Sequence, residues 1–146
     1  EHLMPSISSV KRSVLVLCLV WLSACAQAPK PGEAPIPDGA RVTHRAVLIG
    51  ESNTDAVGTV SLYQAPNAGV LVFEPNFRMD APVGAILAFG RDGYRPDTRF
   101  ATLVRNAGRQ SYSIPTSIEP SGFNEIWIWS EKVGQPLGLG RLTPVI

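Results

Sequence analysis

Sulfur and imidazole are scarce in this chain of 146 residues, which has two cysteines and two histidines. Both cysteines, Cys18 and Cys25, fall in the first 25 residues. From residue 26 onward there is no thiol, so that part forms neither a disulfide nor a thiol nucleophile. After His2 the one remaining histidine is His44. A metal site built on His and Cys is thereby excluded, and a Ser-His-Asp enzyme would rest wholly on His44. No G-x-S-x-G turn supplies a nucleophile to go with it. The expectation is a noncatalytic protein with no metal and no cofactor. Charge is sparse too, at 17% of residues and a net +1, which gives no general attraction to nucleic acid or to an anionic surface. No window shows an apolar period of 3.6 residues. Prolines at 66, 75, 82, 96, 115, 120, 136 and 144 would interrupt any helix of useful length.

What is present begins with a secretion signal. Lys11 and Arg12 precede the apolar run VLVLCLVWL (residues 14–22), which is short for a permanent membrane span. The following LSAC (residues 22–25) resembles a lipobox, where a signal peptidase cleaves before a cysteine that has first been acylated. Residues 1–24 therefore read as a lipoprotein signal peptide, with residues 1–3 as a leading extra, and Cys25 as the lipidated residue. Cleavage removes Lys11 and Arg12 from thirteen basic residues and Glu1 from twelve acidic ones, leaving equal numbers. A mature domain close to neutral is expected. Ala26 follows Cys25, with no Asp to retain the protein at an inner membrane, so outer-membrane residence facing the periplasm or the exterior is implied.

Residues 25–40 form the lipidated Cys and a Pro-rich linker, because AQAPKPGEAPIPDGA (26–40) has four prolines, two glycines and little apolar bulk. Such a segment reads as an extended, semi-rigid tether. Residues 41–146 read as one domain of short strands. RVTHRAVLIG (41–50), GTVSLYQA (58–65), VLVFE (70–74), GAILAFG (84–90), RFATLV (99–104), RQSYSIP (109–115), EIWIW (125–129) and LGLGRL (137–142) are separated by turns. In GTVSLYQA, Val60 and Leu62 share one face, and Thr59, Ser61 and Tyr63 the other. Pro66-Asn67-Ala68-Gly69 is a turn that makes a hairpin of its two flanks, and one helical turn fits 116–123. The predicted fold is all-β, an antiparallel β-sandwich or flattened barrel of about eight short strands.

The stretch FNEIWIWSEKVGQPLG (123–138) breaks the alternation. Trp127 and Trp129 point one way, and Ile126 and Ile128 the other. A strand apolar on both sides is expected to be central and covered on both faces, by the sheet opposite and by a loop or long side chains. Both tryptophans are thus expected in or near the core, each indole N–H finding a partner such as a loop carbonyl.

Four runs together resemble the DM-thirteen domain: GTVSLYQAPNAGVLVFEPNF, APVGAILAFG, AGRQSYSIP and FNEIWIWSEKVGQPLGLGRL. The likeness covers roughly residues 58–142. It is most specific at the G-x-Q-x-Y-x-I-P element (Gly108, Gln110, Tyr112, Ile114, Pro115) and at Ile126, Ile128, Trp129, Gly138, Gly140 and Leu142. The resemblance implies an extracytoplasmic domain to which electron transfer is ascribed, through a cysteine after the Trp. In this chain that position is Ser130. A hydroxyl forms no disulfide and is a poor ligand for soft metals or haem iron, so the frame of the family site is kept without its reactive atom. The alternative function the resemblance implies is a redox accessory domain holding a cofactor noncovalently near Trp129 and Ser130.

Two other groups of residues are candidates for contact. In GRDGYRPDTR (90–99), Arg91, Arg95 and Arg99 interleave with Asp92 and Asp97, too much positive charge for a calcium loop. Arg–Asp pairing in a solvated loop is expected. If Arg105 and Arg109 shared an edge with these three, the five would bind an anionic partner such as a phosphate-bearing polymer. Tyr63, Tyr94 and Phe123 would make an aromatic patch. The expected protein is a lipid-anchored cell-envelope lipoprotein whose β-sandwich binds a protein or an envelope component without catalysis.

Overall fold

A computed structural model describes residues 28–146. The signal peptide and Cys25 lie outside the described residues. Eleven strands follow in order: β1 (Arg41–Gly50), β2 (Ala56–Val57), β3 (Thr59–Ala65), β4 (Ala68–Phe73), β5 (Arg78–Met79), β6 (Ile86–Gly90), β7 (Ala101–Thr102), β8 (Gln110–Ile114), β9 (Glu125–Ser130), β10 (Gln135–Arg141) and β11 (Thr143–Pro144). Two single 3-10 turns, Pro96–Thr98 and Pro120–Gly122, are the only helical segments among the described residues. The second falls within the helical turn expected at 116–123. The fold class is as the alternation predicts, all-β and antiparallel.

Nine strands form one strongly bent sheet in the order β7-β6-β9-β10-β1-β3-β4-β8, with β11 paired to β1. β1 joins the two halves. Its residues Arg41 to Val47 pair with β3, and Leu48 to Gly50 pair with β10. The sheet thus curls almost into a barrel, with β7 and β8 as the last strands at its two margins. The β2–β5 ribbon adds Ala56 and Met79 to the core. The β3–β4 hairpin turns tightly, with Ala65 opposite Ala68 and only Pro66 and Asn67 between them.

Period-two alternation decides what the barrel holds. Val60, Leu62, Leu71, Phe73, Leu87, Phe89, Ile126 and Ile128 all point inward to one core, with Phe77 against Phe73 at 4.6 Å between ring centroids. Gly140 faces inward too, where an added Cβ would lie 2.9 Å from that of Ala46. The strands approach closely there because no side chain stands between them.

The Pro-rich segment does more than span a distance. Ser111 of β8 donates its N–H to the Gly32 carbonyl (2.8 Å) and accepts the Ala34 N–H (3.2 Å), while its hydroxyl donates to the Ala34 carbonyl (2.7 Å). Glu33 forms a parallel bridge with Ser111, so residues 32–34 extend the sheet at the β8 margin. Gly32 sits at φ +79° with Val104 2.5 Å from where a Cβ would be. Residues 35–40 then cross from β8 to the start of β1, three strands away. Between those ends, the outward-facing Val70, Val72 and Ser61 are only 2%, 1% and 1% exposed. Residues 32–40 are a strap across the outside of one half of the barrel.

Candidate functional site

The other half of the outer surface, β1-β10-β9-β6, carries the two tryptophans. Register places Ile49, Leu139, Trp127 and Ala88 in one row across the four strands, with Trp129 opposite Pro136 and Ile86 in the next. Trp127 and Trp129 point together and oppositely to Ile126 and Ile128, as the alternation requires. Their expected place in or near the core is corrected, because both are half-buried on the outer face and neither joins the core cluster. No second layer of sheet lies over them. Their shielding is local, from one loop and from neighbours in the same sheet.

Trp127 is held by a carboxylate and by the close approach of a glycine. Its indole N–H donates to Glu125 Oε2 at 3.0 Å, so the partner is a carboxylate and not the loop carbonyl expected. The same oxygen accepts the Gly93 N–H (2.9 Å), and Oε1 accepts from Arg141 Nη1 (3.1 Å). Glu125 is buried while Arg141 stays solvated, so the carboxylate anchors the indole and the ion pair neutralises the anchor. Gly90 lies under the ring. A Cβ there would come within 2.4 Å of the indole nitrogen and 2.3 Å of the Gly93 carbonyl oxygen.

Trp129 is covered by the loop between β6 and β7. Tyr94 stacks on it with 4.1 Å between centroids and 3° between planes. Burial raises the Tyr94 phenol above its ordinary value, partly opposed by Arg99. Arg99 in turn forms an ion pair with Glu131 at the start of the β9–β10 turn. Ser130 projects to the opposite side from Trp129, and its Oγ accepts the Val133 N–H (3.4 Å). The Ser130 hydroxyl thus orders the turn that follows β9. Beyond the aromatic pair the face opens, with Val47 71% and Ile49 51% exposed. These two residues carry the face's exposed apolar area, and in sequence they fall within the apolar end of β1, residues 46–49, which does not mark which of its side chains stay exposed.

The five arginines divide into two groups. Arg95 pairs with Asp97 at 3.4 Å, Arg99 with Glu131, and Arg91 donates to the Gly122 carbonyl at 2.7 Å. Arg105 and Arg109 lie apart from those partners, in the loop leading into β8, and form no ion pair among the described residues. The three candidate surface aromatics are separated too. Tyr94 covers Trp129, Phe123 packs against the core near Phe89, and Tyr63 lies on β3 in the strapped half. His44 contacts the Thr43 hydroxyl at 3.0 Å.

The G-x-Q-x-Y-x-I-P element is a loop clamp. Gln110, 1% exposed, accepts the Arg105 N–H and donates to the Arg105 carbonyl at 2.9 Å. Tyr112 donates its hydroxyl to Gln110 Oε1 and accepts the Val104 N–H at 2.9 Å. A side-chain amide thus stands in for a strand's backbone and closes the loop at Gly108, whose φ is +82°. Tyr112→Phe removes the acceptor for a partly buried N–H and the donor to Gln110, and is expected to cost about 1–2 kcal/mol. Burial raises the Tyr112 phenol above its ordinary value of about 10. The folded protein then keeps a proton that the unfolded chain has released, so stability falls as pH rises above about 10. Denaturant titrations at about pH 8 and about pH 11 should show a smaller alkaline loss in Tyr112→Phe than in the wild type.

No family model matches this chain, and no curated protein and no solved structure matches it.

Proposed function

We propose that this chain is a noncatalytic binding module of the bacterial cell envelope, lipid-anchored through Cys25, that grips a protein or envelope component with the open half of its outer face. The observation that carries the reading is the contrast between the two halves. In the half crossed by residues 32–40 the outward valines of β4 are buried, whereas Val47 and Ile49 are left exposed beside a clamped pair of tryptophans. Rigid aromatic anchors next to accessible aliphatics suit the centre of an interface, since little side-chain entropy is lost on binding. The kinship to the DM-thirteen domain, proposed on the residues quoted above, fits a surface-exposed domain. With Ser130 at the reactive position, binding is favoured over electron transfer.

Site-specific photo-crosslinking in cells tests this. A photoreactive residue at position 49 is expected to yield one discrete adduct, and the same group at Asn67, on the β3–β4 turn, none. Equal labelling from the two positions, or none from 49, would contradict the proposal.

A further inference from the structure

We infer that the groove between the strap and the loop before β8 is a site for the phosphate headgroup of an anionic phospholipid, so that this side of the barrel lies against the membrane. The inference rests on the proposed lipidation of Cys25. The groove, about 580 Å³, has Glu33 and Pro35 of the strap on one side and Arg105 and Arg109 on the other. Arg105 Nη2 donates to the Arg109 carbonyl at 3.1 Å, which fixes its guanidinium beside the strap. The Nη1 of that same guanidinium lies 3.7 Å from where a Gly32 Cβ would be.

Two further cations lie on the neighbouring backbone, outside the groove lining. Arg78 is bridged through its backbone to Ala107 in the same loop, and Lys30 sits two residues before Gly32. None of the four forms an ion pair among the described residues. Glu33 is the one acid lining the groove, and Asp80 lies two residues beyond Arg78. Against these two acids the four cations leave a local positive excess in a chain that is nearly neutral overall.

The strap also sets the distance. Because Gly32 is pinned to Ser111, only residues 26–31 separate it from Cys25. The seven residue-to-residue steps from Cys25 to Gly32 span at most about 25 Å when fully extended. An acylated Cys25 therefore keeps this mouth within that distance of the headgroups and lets it reach them. Basic side chains that the tether allows to within about one Debye length of an anionic leaflet, near 8 Å, are attracted to it.

The test uses the full protein purified from membranes, its acylation read by intact mass. It is reconstituted in vesicles of phosphatidylcholine alone or mixed with phosphatidylglycerol. Amide hydrogen exchange over 32–34 and 104–110 is expected to slow severalfold with phosphatidylglycerol and to revert at high salt. Arg105→Gln with Arg109→Gln should abolish at least about tenfold of the associated affinity, at roughly fivefold per arginine. If that variant folds poorly, the salt reversal in the wild type decides alone. Equal exchange in neutral and anionic vesicles would overturn the site. So would inorganic phosphate producing the same protection in neutral vesicles, which would make it a site for a soluble anion. An unacylated mass overturns the anchor instead, and the dependence on phosphatidylglycerol still judges the groove.

Discussion

Gly90→Val is expected to lose about 3 kcal/mol of stability, roughly 10 °C in Tm. It is also expected to release Trp127 from the face. Nothing about Gly90 in sequence marks it as more than the end of an apolar run. In space, the indole and the Gly93 carbonyl both come nearer to its Cα than a side chain allows. The first branch of a valine would push Trp127 outward and break its bond to Glu125. That leaves a buried carboxylate short of one donor, which adds to the cost of overpacking. Thermal melts give the stability loss. A red shift in tryptophan emission would show that the ring has left its seat, and an unchanged spectrum with an unchanged Tm would contradict the clamped arrangement.

Gly32→Val should detach the strap and leave the barrel folded. A β-branched residue is strained at φ +79°, by about 1–2 kcal/mol, and its Cβ would meet Val104. The cheapest escape is for residues 28–40 to leave Ser111, so the loss is capped at the net free energy of docking, about 2 kcal/mol. Hydrogen exchange should quicken at Ser111 and Ala34, and limited proteolysis should cut within 28–40 first. Exchange quickening evenly through β9 and β10 would instead mean that the strap is needed for the whole fold.

Inside the barrel, the sequence was easy to read. GTVSLYQA alternates cleanly, and its Val60 and Leu62 enter the core while Ser61 and Tyr63 face out. Pro66-Asn67 makes the turn expected of it, because Pro presets one dihedral and Asn tolerates the next. The opposed directions of the tryptophans and isoleucines followed from the same period of two.

The outside was less legible. IWIW promises two covered faces, yet its outer cover is a single tyrosine from a loop 35 residues upstream of Trp129, plus a carboxylate two residues before Trp127. Such contacts are set by loop geometry, which composition does not encode. The strap was hidden for a related reason. Pro31 and Pro35 look unfit for a sheet because they lack an N–H, but the pairing at β8 asks for only one donor from this segment, at Ala34, between them. A Pro-rich edge needs few donors, and so the stretch reads as a linker.

The most direct test of binding by the open face is an affinity measurement with the partner caught at position 49. Wild-type protein is compared with the double variant Val47→Asp, Ile49→Asp. Both side chains are largely solvated, so Tm should stay within about 3 °C. Affinity should fall at least about tenfold, the loss of a central apolar contact being worth more than about 1.4 kcal/mol. Unchanged affinity at unchanged Tm would mean that the partner sits elsewhere and that the open face is only surface.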